Sequence, residues 1–254
     1  MPALIFDCDG VLADTERDGH RVAFNRAFEA TGLPLHWDEP TYGELLAIGG
    51  GKERLRAALA QDGAPRVPDP DETVQQVHRE KTRIYTELID RGAVPARPGV
   101  RRIAAEADAA GWLLAVASTS ARPSVEAVLR HVMGDELAGR FSVFAGDVVP
   151  RKKPAPDIYT LAVSELGVST DEAVVVEDSG IGVAAARAAG LPVVVTVRSY
   201  TADEDFTGAA FVVSSLGDPG EPIRVLADDA GIDPGRQITL ADLSRVVANG
   251  RRNG

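Results

Sequence analysis

The sequence predicts an α/β protein, a Rossmann-like doubly wound parallel sheet with an α-helical segment inserted into it. Three observations carry that prediction. Several short runs of Val, Ile, Leu and Ala show no polar alternation, the pattern of strands buried on both faces. Helical patterns separate the later runs, so strand and helix alternate as they do around a parallel sheet. Between residues 16 and 97 the alternation stops and only helical patterns remain.

The elements follow in order. Ala3–Phe6 is the first strand and runs directly into Asp7, Cys8, Asp9 and Gly10. The insert, residues 16–97, contains the helical runs "ERDGHRVAFNRAFEATG", "YGELLAIGGGKERLRAALAQDG" and "ETVQQVHREKTRIYTELIDRG", and "ARPGV" closes it with a Pro and a Gly. The core is then residues 1–15 and 98–254. Its further strands are Leu113–Ala117, Phe141–Ala145, Ala173–Val176 and Pro192–Val197, and its helices are Val100–Ala110, Pro123–Val132, Ala155–Leu166 and Gly182–Ala189. A Gly- and Pro-containing tail from about Asp218 ends in one helical pattern, "TLADLSRVVANG", and carries no readable chemistry. Four strands reach a polar residue at the C-terminal end: Asp7, Ser118, Asp147 and Glu177. In open α/β sheets ligands bind at that edge, and the insert leaves the chain there, placed to cover it.

Composition limits the partners. The 254 residues carry a formal charge of −11, from 38 acidic and 27 basic side chains. That balance argues against a nucleic-acid partner, whose binding proteins usually present a basic face. An anionic substrate would need a few locally placed cations or a metal. The single cysteine excludes an intrachain disulfide and fits a reducing compartment. There is no visible leader, and no apolar run approaches the roughly 18 residues of a membrane span. A soluble, cytoplasmic protein with no membrane partner is expected.

Asp7 and Asp9 lie two residues apart, so in extended backbone their side chains leave on the same side. Carboxylates that close repel unless a cation or a proton intervenes. They can divide the work, one as an ionised nucleophile beside a divalent cation and the other as a proton carrier, or they can simply cap a loop. Glu177–Asp178 ends a separate Val-rich strand. Asp7, a backbone carbonyl near Asp9, and Asp178 are hard oxygen donors of the kind magnesium takes. Ser118, Thr119 and Ser120 precede a helix and form either a phosphate seat or an ordinary N-cap. Lys152–Lys153 is either a phosphate-neutralising lysine or a surface pair. In the insert, Gly49–Gly50–Gly51 opens a helix carrying Lys52 and Arg54, which together can grip a second anion. His78 and Lys81 share a helix face, as do Glu16 and His20. Cys8 should turn away into the sheet as a small core residue.

Together these residues resemble a known family. "FDCDG", "VAST", "KKP" and "VEDS" occur in the order found in haloacid-dehalogenase-like hydrolases, each at a strand end or in the loop that family uses. The insert follows the first motif, where that family carries a helical cap. "DTERDGHRVAFN", "YGELLAIGGGKERL", "FAGDVVPRKKPAPDIY" and "YTADEDF" look most like the CbbY-type phosphatases, and the resemblance runs from about Ala3 to Pro219.

The resemblance implies an Mg2+-dependent sugar-phosphate phosphatase. Asp7 would be the nucleophile that becomes an aspartyl-phosphate, and Asp9 the acid/base. Asp7, Asp9 through its carbonyl, and Asp178 would hold the metal, with Glu177 in direct contact or one layer out. Ser118, Thr119 and Lys153 would hold the transferring phosphoryl group. Xylulose-1,5-bisphosphate is the implied substrate. Its second phosphate would meet Gly50, Gly51, Lys52, Arg54 and Lys81, and its hydroxyls Glu16 and His78. A monomer is expected. β-Phosphoglucomutase is the nearest alternative; its cap loop resembles "GVSR" where this chain has "GGKE". A broader sugar-phosphate phosphatase and a non-catalytic phosphosugar-binding protein are the others, and the second would be favoured by loss of an aspartate or the lysine, none of which is lost.

Overall fold

The computed structural model describes residues 1–92, 94–198 and 200–253, without the side chains of residues 18 and 250–253. Seven strands form one sheet: β1 (Ala3–Phe6), β2 (Leu113–Ser118), β3 (Phe141–Ala145), β4 (Ala173–Glu177), β5 (Val193–Thr196), β6 (Phe211–Val213) and β7 (Val225–Ala227). Their order is β3-β2-β1-β4-β5-β6-β7. All neighbours are parallel except β6 and β7. β1 lies in the middle, with Ile5 opposite both Ala115 and Val175. The chain builds outward from β1 on one side through β2 and β3, then returns to build β4 to β7 on the other. The C-terminal edge between β1 and β4 is therefore the switch point, where a crevice opens.

The predicted strands are all present. β6 and β7, at three residues each, are too short to show a period in the sequence. Pro192 is left outside β5, since it has no N–H to contribute.

Within residues 16–97 the described residues contain helices and no strand: a π-helical turn (Glu16–His20), α1 (Arg21–Thr31), α2 (Glu39–Leu45), α3 (Gly51–Leu59) and α4 (Pro70–Asp90). Asp38 and Asp69 cap α2 and α4, accepting from the N–H of Thr41 and of Glu72. Phe24, Phe28, Trp37 and Tyr42 stack into the insert's own aromatic core. α4 buries Val74, Val77, Lys81, Ile84 and Tyr85 at helical spacing, which places one lysine inside an apolar stripe.

The remaining helices are α5 (Val100–Ala109), α6 (Arg122–Met133), α7 (Asp135–Ala138), α8 (Asp157–Leu166), α9 (Gly180–Ala188) and α10 (Leu240–Asn253). Because side chains alternate along a strand, each face has its own apolar cluster. Ile5, Ala115 and Val175 pack with Ile158 and Tyr159 of α8 and Val183 of α9. Phe6, Val116 and Val176 share a cluster with Ile103 of α5, Val128 of α6 and Leu243 and Val246 of α10. The tail therefore completes one face of the sheet through α10.

The two crossings between sheet and insert meet at one point. Ala13 bridges Ala96, and the Arg97 N–H donates to the Leu12 carbonyl at 3.0 Å. The Arg97 guanidinium donates to the carbonyls of Gly10, Val197 and Ser214. No helix among the described residues is long and apolar enough to cross a membrane.

Candidate active site

A cavity of about 350 Å³ opens at the C-terminal edge of β1 and β4, roofed by the insert. Asp7 and Asp9 reach it from the end of β1, Ser118 and Thr119 from β2, Lys153 from the loop after β3 and Asp178 from β4. Glu16, Gly50, Gly51, Arg54, His78 and Lys81 line it from the insert.

The two aspartates are divided between two groups. The Asp7, Glu177 and Asp178 carboxylates bring ligand atoms within 4.8 Å of one another, and Asp9, Glu16 and His20 do the same a few residues on. Lys153 is central to the first group. Its Nζ donates to Asp7 Oδ1 at 2.7 Å, Glu177 Oε1 at 2.7 Å and the Ala117 carbonyl at 3.0 Å. Burial alone would lower this lysine's pKa, but Asp7 and Glu177 outweigh it, so the ammonium is held well above its ordinary value. Burial is the largest influence on Asp7 as well, and it raises the carboxyl. Lys153 opposes that rise, while Glu177, Asp178 and Asp9 add to it, so Asp7 lies well above the carboxylate range. Burial likewise lifts Asp178 to about 7. Three clustered carboxylates face two cations, Lys153 and Arg198, and their hard oxygen donors suit Mg2+.

Glu177 is fully buried and is not exposed in the cavity. Its Oε1 accepts from Lys153 and the Tyr159 hydroxyl, and its Oε2 from the Asp178 N–H. A Cβ at Gly182 would fall inside this carboxylate. The second glycine of "SGIG" is the space the glutamate occupies.

Asp9 accepts three hydrogen bonds. Thr15 Oγ1 donates to Oδ1 at 2.6 Å, His20 Nε2 lies 2.7 Å from the same oxygen, and the Ser120 hydroxyl donates to Oδ2. Burial would raise this carboxyl, but the His20 ring and the three hydrogen bonds outweigh it and hold Asp9 far below the usual range. Lys81 Nζ is 2.7 Å from His20 Nδ1. A protonated lysine can only donate, so Nδ1 accepts and the ring proton sits on Nε2, facing Asp9. His20 stacks on Tyr85 with centroids 4.0 Å apart. Lys81, Phe24 and Tyr85 therefore fix the ring that holds Asp9.

Two expected anion-binding cations are placed otherwise. Lys52 does not reach the main cavity. Its Nζ pairs with Asp147 at 2.5 Å, beside a neighbouring cavity of about 280 Å³ that it lines with His78 and Thr119. Asp147 follows β3 and also binds Lys152, so two lysines converge on one carboxylate across the insert and the sheet. Arg54 lines the main cavity, but its donors are committed to the Leu45 and Ile48 carbonyls and the Tyr42 hydroxyl. That hydroxyl donates to Glu16 Oε2 at 2.5 Å. Glu16, Tyr42 and Arg54 form one buried, hydrogen-bonded knot. His78 is neutral near pH 7, since burial, then Lys81 and Lys52, push it down to about 3. Cys8 is buried as expected, and burial with the flanking aspartates raises its thiol.

Sequence reasoning passed over Thr15, Tyr42 and Tyr159, whose hydroxyls serve charged neighbours. It also passed over Arg198, whose Nε donates to Asp178 Oδ2. Arg198 lies just past the end of β5, so the rule that picked out the other strand ends would have found it.

A family model, haloacid dehalogenase-like hydrolase, matches residues 1–190. The chain is 48% identical over 224 residues to a CBBY-like protein of Arabidopsis thaliana, covering 86% of this chain and 70% of that one. It is 44% identical over 232 residues to a plasmid-encoded CbbY of Cupriavidus necator, covering 88% and 89%. Among solved structures it resembles a mutant of CbbY from Rhodobacter sphaeroides, crystallised in complex with xylulose-1,5-bisphosphate. That match has a TM-score of 0.80 and 42% identity, over 87% of this chain and 98% of the other.

Proposed function

The chain belongs to the haloacid dehalogenase-like hydrolases, and from that membership, with its phosphatase chemistry, we propose that it hydrolyses xylulose-1,5-bisphosphate through an aspartyl-phosphate on Asp7, with Mg2+ as cofactor. The observation that carries the reading is the split of the two neighbouring aspartates. Asp7 sits with a buried cation and two further carboxylates, whereas the oxygens of Asp9 are held by Thr15, His20 and Ser120.

An Asp7 oxygen attacks phosphorus, and the bond from phosphorus to the sugar oxygen breaks. Lys153 and the Ser118–Thr119 loop hold the phosphoryl oxygens as charge spreads over them. Bound Mg2+ would be held by Asp7, the Asp9 carbonyl and Asp178, neutralising charge between nucleophile and phosphate. Glu177 acts one layer out, since its oxygens are spent on Lys153, Tyr159 and the Asp178 N–H.

Asp9 must give the leaving oxygen a proton and later take one from the water whose oxygen attacks phosphorus as the bond to Asp7 breaks, releasing phosphate and freeing Asp7. With its three donors in place Asp9 is a carboxylate, the form the second step needs. The first step needs a proton on it. A substrate oxygen that displaces the Ser120 hydroxyl from Oδ2 removes one of the donors that favour the ionised form. His20 keeps Oδ1 fixed meanwhile. The helical insert serves as the cap, hinged where Ala13 meets Ala96, and Glu16 and His78 face the sugar.

The test is phosphate release with Mg2+, comparing xylulose-1,5-bisphosphate with β-glucose-1-phosphate and a panel of sugar monophosphates. A large preference for the bisphosphate supports the proposal. Conversion of β-glucose-1-phosphate to glucose-6-phosphate without phosphate release would replace it with a mutase.

A further inference from the structure

We infer that Arg198 is a positioning residue for the metal site: its guanidinium takes one oxygen of Asp178 and thereby aims the other at the cation. The inference rests on the reading of Asp7 and Asp178 as ligands of a divalent cation. It adds a residue outside the motifs that carry that reading.

Arg198 lies just beyond β5 and pairs with Asp178. The two cations flank the carboxylate cluster. Lys153 holds Asp7 and Glu177, and Arg198 holds Asp178 through Nε on Oδ2. The arginine is only 8% exposed, lines the cavity, and has no hydrogen-bond partner for Nη1 among the described residues. A buried guanidinium with an idle N–H is costly, so its place needs a compensating use.

The surroundings fix this guanidinium closely. Its carbon lies 5.6 Å from the centroid of the Tyr200 ring. Its backbone is tied to Thr201, which it meets in both directions, and the preceding carbonyl, of Val197, accepts from Arg97. Gly10 has φ +85°, and a Cβ there would collide with both Asp178 Oδ2 and Arg198 Nε. The glycine that ends the first motif thus leaves room for the pair as well as turning the chain.

A carboxylate has two oxygens with separate lone pairs. With Oδ2 held by Arg198, rotation of the Asp178 carboxylate is restrained and Oδ1 is left for the cation. Groups that orient metal ligands in this way typically change metal affinity 10- to 100-fold when removed. A positive charge alone would act the other way, since it repels a dication. The sign of the effect therefore separates orientation from charge.

The experiment is Mg2+ titration of the folded chain by calorimetry, without substrate, for wild type, Arg198→Met and Arg198→Lys. Circular dichroism and Tm establish that each variant is folded. Orientation predicts about 10- to 100-fold weaker Mg2+ binding in both variants. It also predicts a raised Mg2+ requirement for turnover while the KM for substrate at saturating Mg2+ stays unchanged. Unchanged or tighter Mg2+ binding in Arg198→Met would overturn the inference and leave the arginine as a charge neutraliser. If the Met variant does not fold, Arg198→Lys decides alone, since it keeps the charge and loses the planar fork; wild-type affinity there would overturn the inference. A wild type that binds no divalent cation would overturn the metal reading itself, a result distinguishable from failure of the Arg198 step.

Discussion

Replacing Lys81 with methionine should make the protein more stable and less active. Lys81 is 4% exposed. Its ammonium lies 5.1 Å from the centroid of Phe24 and 4.9 Å from that of Tyr85, and it donates to His20 Nδ1. Burial lowers its pKa from 10.5 to about 8; Asp9 and Glu16 oppose the fall, and Arg54 adds to it. At about 1.4 kcal/mol per tenfold change in proton affinity, keeping the proton on the folded lysine costs about 3 kcal/mol. The sign follows from linkage. Below pH 8 the lysine is protonated in both the folded and unfolded chains, and the whole cost is present. As pH rises from about 8 toward 10.5 the folded lysine gives up its proton first and the cost disappears. Methionine fills similar volume without charge. In urea unfolding, Lys81→Met should gain up to about 3 kcal/mol at pH 7 and little at pH 10. Turnover should fall, because His20 loses the donor that fixes its tautomer toward Asp9. A variant less stable at pH 7, or one whose advantage does not change with pH, would refute the reasoning.

Other predictions come from the same geometry. Asp7→Asn should abolish phosphate release, since an amide is no nucleophile; measurable turnover would exclude Asp7 as nucleophile. Gly182→Ala should drive the Glu177 carboxylate off Lys153, costing about 1–3 kcal/mol in denaturant melts and most of the activity. Lys52→Ala removes a pair whose Asp147 partner is largely exposed, so stability should fall by less than about 1 kcal/mol; a selective loss on the bisphosphate relative to a monophosphate would assign Lys52 to the second phosphate after release from Asp147. Chelation of Mg2+ should stop turnover, and restoring it should raise Tm.

Much of this protein is determined locally and can be read in order along the chain. β1, β2, β4 and β5 are apolar runs buried on both faces, and β3 is a largely apolar edge strand. The acidic and hydroxyl residues at their ends must then gather at one edge, because parallel strands all finish there. Asp7, Asp9, Ser118 and Asp178 were legible for that reason, and Lys153 only through the family resemblance. β6 and β7 were not, because three residues carry no period, and their strand identity comes from the neighbours they pair with. The use of Lys52 and Arg54 was also decided in three dimensions. A basic side chain near a glycine run can meet a ligand or a protein carboxylate, and only the fold brought Asp147 to Lys52 and set Tyr42 and three main-chain or acidic acceptors around Arg54. Asp9 and Asp7 are two residues apart in sequence, yet their different chemistry was set by residues 11 and 146 positions away, His20 and Lys153. The sequence alone determined which groups reach the edge, because strand direction is a local property. The tertiary structure decided which of them are paired, charged or idle, because charge inside a protein depends on every neighbour that burial brings within reach.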